Sequence, residues 1–306
     1  MNKNKTLLGV FLAAFGGICW GFSGSCGEFL FKNYGVPSIW LCSVRMIVSG
    51  VIMLAISLVK CRPQLFAMLK NRRDTLQMLL FGLLGILMSQ YSYLTAISYS
   101  NAGTATVLQY VGPVFIMIIA CVSGKRLPKI GEAVALVLAV VGTFLVATHG
   151  NLGSLSISPL ALFFGILSAV ALIFYTMLPA SVIAKYGSMP VMGCGTITVG
   201  LVFLPIARPW TYDISLDAAG VAAVGGIVIV GTVMAYTFYL VGVEYAGAVK
   251  ASVASSVEPV AAAVISAVWL GNSFAPLDIV GFTSVISAVI ILSLAKNKKK
   301  DKQKGD

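Results

Sequence analysis

Glu258 is an acidic residue within a long apolar stretch. It lies twelve residues into a predicted helix over 246–269, about 18 Å along the helix axis and therefore near the middle of a bilayer. No cation at similar depth is evident from the sequence. A charge at that depth normally faces a cavity or a partner. We therefore predict that Glu258 contacts a substrate or a coupling proton, with hydrogen bonding to nearby Ser and Thr groups alone as the alternative.

Glu28 and Arg45 form a second candidate pair in apolar surroundings. Glu28 lies near the end of the predicted helix over 7–31, and Arg45 lies at similar depth in the predicted helix over 38–59. Opposite charges at one depth predict an ion pair. Its role is open between a structural bridge that pins two helices and a gate or substrate contact.

Aromatic and polar side chains share helix faces. Thr232, Tyr236 and Tyr239 are spaced i, i+4, i+7 and so lie on one face of a helix. A binding site walled by aromatic side chains with few polar groups suits amphipathic organic molecules. The alternative explanation is that these aromatic residues belong to the belt at the membrane–water interface. The predicted binding residues are Trp20, Ser23, Gln90, Tyr93, Gln109, Thr232, Tyr236, Tyr239, Ser255 and Glu258.

Pro113 and Pro259 lie twelve and thirteen residues into their predicted helices. Proline removes a backbone donor and clashes with the preceding turn, so both positions predict kinks near the midplane. Kinked or discontinuous helices are typical of substrate sites in membrane carriers.

Other chemistry finds little support in the sequence. His149 is the one histidine, and the six cysteines have no metal-binding spacing. Paired carboxylates, a phosphate loop and a nucleophile elbow are also missing. We therefore expect no enzyme activity, no metal, no cofactor and no binding of nucleic acid.

The elements that position these residues are membrane helices. The chain is 58% hydrophobic and 10% charged, with a mean hydropathy of +0.96, far from the composition of soluble domains. Apolar stretches long enough to cross a bilayer recur ten times. The predicted spans are 7–31, 38–59, 75–96, 101–123, 130–148, 159–183, 188–206, 217–242, 246–269 and 275–295.

The net charge of +11 is distributed as a topology signal. With ten spans and the N-terminus inside, most Lys and Arg residues fall in cytoplasmic segments, and only Lys32 and Arg208 fall in outer loops. We predict a multi-pass protein of the cell membrane with both termini in the cytoplasm, ending in a basic tail over 296–306 that touches lipid.

The chain contains an internal repeat. Residues 93–114 and 239–260 are identical at nine of 22 aligned positions, including Tyr93/Tyr239 and Pro113/Pro259. An offset of 152 aligns Tyr34–Gly35 with Tyr186–Gly187. Two five-helix halves, 1–149 and 156–295, are predicted. Because five is odd, the halves are inverted relative to each other, which is the arrangement that alternating access requires.

These features resemble the EamA family of the drug/metabolite transporter superfamily. The resemblance rests on WGFSG at 20–24, Arg45 in the second helix, small-residue-rich helices 4 and 9 with a central proline, and the duplication. It implies a carrier with a central cavity lined by helices 1, 3, 4, 6, 8 and 9. The chain departs from the family's Gly-Glu pair after helices 4 and 9, where it has Gly124–Lys125 and Gly271–Asn272.

The sequence therefore predicts a secondary transporter, an exporter of a small organic solute. A flippase for a lipid-linked substrate is the first alternative, and a membrane scaffold or sensor that does not transport is the second. The oligomeric state is not predicted.

Overall fold

The protein is an all-helical membrane protein with ten membrane helices, as the sequence predicts. A computed structural model describes residues 3–148 and 157–302. Nine described helices are long and apolar enough to cross a membrane, and a shorter apolar stretch, Pro276–Ile291, completes the set.

The ten helices are numbered in chain order. The first five are α1 (Lys3–Tyr34), α2 (Ser38–Lys60), α3 (Arg72–Ser98), α4 (Ala102–Ser123) and α5 (Ile130–Thr148). The second five are α6 (Pro159–Met177), α7 (Ser188–Ala207), α8 (Ala218–Ala246), α9 (Ala248–Ser255 with Glu258–Leu270) and α10 (Pro276–Lys302). Two short helices, Arg62–Lys70 and Ala180–Tyr186, connect α2 to α3 and α6 to α7.

Two of the differences between the predicted span boundaries and the structure have a clear backbone cause. The sixth predicted span continues to residue 183, but α6 ends at Met177 because Pro179 cannot donate to the preceding turn. The loop predicted at 243–245 is helical in the structure. α8 ends instead at Ala246, and the chain turns at Gly247, whose φ of +84° is a conformation that favours glycine.

The helices pack in pairs that respect the repeat. α1 packs on α8 just as α6 packs on α3, while α2 packs on α7, α4 on α9 and α5 on α10. Small residues permit this: a Cβ atom on Gly142 of α5 would lie 2.7 Å from the Gly281 carbonyl oxygen of α10. Each pair joins one helix from each half, so the halves share one core.

Four helices are irregular at repeat-related places. α3 contains a π-helical stretch over Phe81–Leu87, and its mate α8 contains one over Gly226–Met234. α4 is interrupted between Gln109 and Gly112, and its mate α9 between Ser255 and Glu258. Such irregularities weaken the regular helix ladder and are frequent at functional sites.

Successive helices alternate in direction, so the bundle has two ends. The Glu28 end contains the last turns of α1 and α9 and the first turns of α2, α4 and α8. The Asp74 end contains the first turns of α3 and α7 and the short helix Ala180–Tyr186.

Candidate functional site

One cavity of about 390 Å³ lies at the centre of the bundle, a size typical of small-molecule sites. Every predicted binding residue except Thr232 lines it: Trp20, Ser23, Gln90, Tyr93, Gln109, Tyr236, Tyr239, Ser255 and Glu258. At the Asp74 end, the cavity reaches Pro179, Ile183 and Ser188. At the Glu28 end, no residue in the helical turns that form this end lines the cavity. In this structure the cavity is therefore one-sided.

Glu258 lies where α9 is interrupted. Ser255 is the last residue of the first piece and lies four residues before Pro259, the position whose carbonyl a proline displaces. Glu258 begins the second piece, so its carboxylate lies at the positive end of that helix dipole. The Tyr110 hydroxyl donates to Glu258 Oε2 over 2.9 Å and lies 3.3 Å from the freed Ser255 carbonyl oxygen.

α4 is built in the same way. Its first piece ends at Gln109, four residues before Pro113, and Tyr110 occupies the interruption. Pro113 lines the cavity, whereas Pro259 does not. The two interruptions therefore bring Tyr110 of one half against Glu258 of the other.

Arg45 lines the cavity from α2. It is 5% exposed, and its Nε atom lies 3.4 Å from the Thr232 hydroxyl oxygen of α8. Thr232 does not line the cavity; it positions Arg45 instead and donates to the Ile227 carbonyl oxygen within the π-helical stretch. No other hydrogen bond or ion pair joins the Arg45 guanidinium to a described residue.

The predicted ion pair between Glu28 and Arg45 is not formed. The Glu28 carboxylate pairs with Lys32 one turn along α1, at 2.8 Å. It also accepts from the Ala102 backbone N–H of α4 at 2.8 Å and from the Ser266 hydroxyl of α9 at 2.7 Å. The amide of Asn272, just after α9, donates to Glu28 as well. Glu28 is 1% exposed, and its contacts tie α1 to α4 and α9 beyond the cavity.

Asn272 stands where the resemblance leads one to expect a glutamate. Its side chain also accepts from Lys32 Nζ at 2.6 Å. A second carboxylate there would lie against Glu28, and like charges at that distance repel. The departure from the family's Gly-Glu pair therefore matches the network that the structure forms at this end.

Aromatic side chains form one part of the cavity wall. Trp20 packs edge-on against Tyr236, with ring centroids 5.4 Å apart, and tilted against Tyr239 at the same distance. The Tyr236 hydroxyl hydrogen-bonds that of Tyr175 at 2.6 Å, and Tyr93 hydrogen-bonds Thr106 at 2.8 Å. These rings hold one another in place, so the wall is rigid and apolar with hydroxyls at fixed points.

Two residues of the cavity wall carry polar atoms with no hydrogen-bond partner among the described residues. Ser23 Oγ and Gln90 Oε1 are buried and make no hydrogen bond to any described residue. An unsatisfied buried polar atom costs about 1–3 kcal/mol. Gln109 donates to Ser89 at 3.3 Å. The Ser23 and Gln90 oxygens are therefore unsatisfied within the packed wall of the cavity.

Tyr175 and Tyr110 are the aromatic lining residues with hydroxyl groups that the sequence did not single out. Tyr175 on α6 is the repeat mate of Ser23 under the offset of 152, so applying the repeat to the α1 face would have found it. Tyr110 lies inside the α4 interruption, where regular helical spacing fails as a guide. No periodic signal could have found it.

No cluster of three or more His, Cys, Asp or Glu side chains that could hold a metal ion occurs among the described residues. His149 lies outside them. The cavity offers binding groups and one carboxylate, which suit recognition of a solute.

The fold and cavity define a multi-pass membrane transporter, and comparison with known proteins agrees. The model of the EamA-like transporter family matches residues 7–148 and 159–294. The inner membrane transporter YicL of Salmonella typhimurium is 36% identical over 298 residues, covering 97% of this chain and 98% of that protein. A transporter of Clostridium kluyveri is 24% identical over 89% of this chain and 88% of its own length.

This chain belongs to the EamA-like transporter family, as the sequence resemblance indicated. A solved crystal structure shares the fold, with a TM-score of 0.62 at 15% identity over 97% of this chain and 99% of that one. Family and relatives point to a transporter of small molecules rather than to an enzyme.

Proposed function

We propose that this protein exports a small organic solute by alternating access, binding it in the central cavity. The observation that carries the proposal is the one-sided cavity: it reaches the Asp74 end, and the Glu28 network lies across the other end. Alternating access requires one state in which the cavity is open to one side of the membrane and a second state in which it is open to the other side.

The repeat supplies a route to the opposite state. Because the pairs of helices and their irregular stretches are related between the halves, exchanging the two packings opens the Glu28 end and closes the Asp74 end. The two halves, 1–149 and 156–295, move as bodies in this proposal. Breaking the Glu28 contacts is the required step.

The charge distribution supports one orientation of the two ends in the cell membrane. The Asp74 end carries the basic connections around Arg62, Lys70 and Lys185, so it faces the cytoplasm together with both termini. The cavity in this structure then receives solute from the cytoplasm, as export requires.

Glu258 is the proposed carrier of a coupling proton. It is the one carboxylate among the described residues that line the cavity, and the Tyr110 hydroxyl that contacts it can donate to the ionised form. In the Glu258→Gln variant, solute exchange should lose its dependence on a pH gradient. Unchanged dependence would remove this assignment.

The test of transport is counterflow in proteoliposomes of the purified full chain. Vesicles loaded with a panel of amino acids, nucleosides and organic cations are diluted into the labelled solute. We expect transient accumulation of at least one class by wild type and by Thr237→Ala, whose hydroxyl bonds only its own helix.

The other outcomes identify the alternatives. Translocation of a lipid headgroup without solute counterflow would replace the carrier with a flippase. Absence of both activities would favour a scaffold or sensor and contradict the proposal.

A further inference from the structure

A groove separate from the central cavity lies between α4 and α5 at the Asp74 end, where α4 ends and α5 begins. It has a volume of about 490 Å³ and shares no lining residue with the central cavity. Lys125 and Arg126 are the charged residues that line it in the described part of the chain. The rest of its wall consists of Ile118, Cys121, Val122, Leu127, Pro128 and Leu136.

The apolar part of this groove is open to the surroundings of the protein. Val122 is 72% exposed and Leu127 is 87% exposed. Ile118 and Val122 are spaced i, i+4 and lie on one face of α4. Because apolar side chains on the outside of a membrane helix lie against lipid chains, the groove opens towards the bilayer.

The turn between the two helices carries uncompensated positive charge. Residues 118–136 contain three cations, Lys125, Arg126 and Lys129, and one acid, Glu132, which leaves an excess of two. Arg126 pairs with Glu132 through two hydrogen bonds, of 2.6 Å and 2.8 Å. The Lys125 ammonium group makes no hydrogen bond or ion pair to any residue that the structure describes. A counter-ion for Lys125 must therefore come from outside the chain.

Lys125 also occupies a backbone conformation that favours glycine. Its φ is +44°, whereas at the end of α9 the residue with a positive φ is Gly271. The Lys125 backbone N–H donates to the Val122 carbonyl oxygen at 3.0 Å, which fixes the turn. Since glycine would serve this turn with less strain, the reason for a lysine lies in its side chain.

We propose that this groove is a binding site for an anionic phospholipid. The phosphate lies against Lys125 and against the donors of Arg126 that Glu132 leaves free. An acyl chain lies on the α4 face of Ile118 and Val122. The proposed orientation places the lipid in the cytoplasmic leaflet, whose anionic headgroups attract basic residues next to membrane helices.

This choice of ligand follows from the two halves of the groove. A zwitterionic lipid would fill the apolar wall and leave the excess charge uncompensated. A soluble anion would compensate the charge and leave the apolar wall empty. An anionic phospholipid satisfies both.

The test uses the purified full chain in detergent micelles with dioleoyl phosphatidylglycerol or dioleoyl phosphatidylcholine at equal mole fraction. The two lipids have the same acyl chains and differ in the net charge of the headgroup. A third sample contains glycerol 1-phosphate in place of lipid. Native mass spectrometry measures the fraction of protein that retains one bound molecule.

Wild type should retain phosphatidylglycerol at least threefold more than phosphatidylcholine, and should not retain glycerol 1-phosphate. Lys125→Gly should lower the retention of phosphatidylglycerol to that of phosphatidylcholine. Its melting temperature in phosphatidylcholine should not fall below that of wild type, because glycine suits the backbone there. Lys125→Arg should keep the preference. The control is Lys70→Gln, which removes an exposed lysine at the same end outside the groove and should match wild type.

Four results would overturn the inference. Equal retention of the two lipids by wild type would mean that the groove accepts any acyl chain. Equal losses in Lys125→Gly and Lys70→Gln would mean diffuse attraction to a basic surface. Retention of glycerol 1-phosphate as strong as that of lipid would mean a site for soluble anions. If retention of phosphatidylglycerol fell as a dimer formed, a second copy of the chain would be the occupant. Each of these results leaves solute counterflow, and with it the proposed function, unaffected.

Discussion

Both ends of the bundle have a contact between a tyrosine and an aspartate, but only one end has the Glu28 network. At the Glu28 end, the Tyr34 hydroxyl donates to Asp217 at the start of α8. At the Asp74 end, its repeat mate Tyr186 donates to Asp74 at the start of α3, over 2.9 Å. Both contacts join the two halves, and both tyrosines precede a glycine with positive φ.

The Glu28 network, by contrast, exists at one end only. Under the offset of 152, the mate of Glu28 is Ala180, which carries no charge. The tyrosine–aspartate contact forms both at the closed Glu28 end and at the Asp74 end, which the cavity reaches. Its presence therefore cannot determine which end is open. We therefore regard the tyrosine–aspartate contacts as pivots and the Glu28 network as the gate.

The largest effect on stability should come from Glu28→Gln. The substitution removes a buried anion that accepts from α1, α4 and α9, which costs about 3 kcal/mol. We expect a clear fall in the melting temperature of the purified protein. The control is Thr237→Ala, because the Thr237 hydroxyl is exposed and bonds only its own helix. Equal shifts for both variants would contradict a central role for the carboxylate.

Asp74→Asn should produce the next largest loss. Asp74 is 2% exposed and is held by Lys185 at 3.1 Å as well as by Tyr186. We expect a fall in melting temperature of about 2–4 °C, larger than that of Asp217→Asn, since Asp217 is exposed. A larger fall in melting temperature for Asp217→Asn would mean that the exposed Tyr34–Asp217 contact contributes more to stability than the contact at Asp74.

The tyrosine hydroxyls should matter less than the aspartates. Tyr34→Phe and Tyr186→Phe each remove one hydrogen bond and keep the ring, so each should lower the melting temperature by about 1–3 °C. As pivots, both should leave the direction of transport unchanged in counterflow. A reversal of preferred direction by either variant would make that contact a gate.

The smallest effect concerns pH at the Glu28 end. The hydrogen bond from Tyr34, aided by the Gly220 backbone N–H, lowers the pKa of Asp217. A lowered pKa stabilises the fold above the ordinary aspartate value of about 4, and this contribution fades as the pH falls through the lowered value. The difference in melting temperature between wild type and Asp217→Asn should therefore vanish on acidification. A difference that grew in acid would contradict this sign.

Helical spacing and the repeat locate side chains on helix faces, and in the structure most of the predicted binding residues lie on the cavity. Trp20, Tyr93, Tyr236 and Glu258 all line it. The sequence predicted the wrong partner for Glu28 because depth along a helix says nothing about rotation around it. Arg45 points to α8, whereas Glu28 points to α4 and α9.

The irregular stretches set the other limit. The prolines predicted where α4 and α9 would be interrupted, because their effect on the backbone is local. The π-helical stretches of α3 and α8 follow from packing between the halves and leave no mark in hydropathy. Residues positioned by them, such as Phe81 in the cavity wall, were accordingly not predicted.

Access to Ser252, a half-buried residue that lines the cavity from α9, tests the gate most directly. A Ser252→Cys reporter, in a chain whose six native cysteines are replaced, is exposed in proteoliposomes to a thiol reagent that cannot cross the membrane. In the otherwise unchanged protein, the reporter should react from the face of the Asp74 end. Adding Glu28→Gln should raise the reaction from the opposite face by tenfold or more. Labelling that stays confined to the Asp74 face in both proteins, or that proceeds equally from both faces in both, would contradict the gate and the alternating cavity it controls.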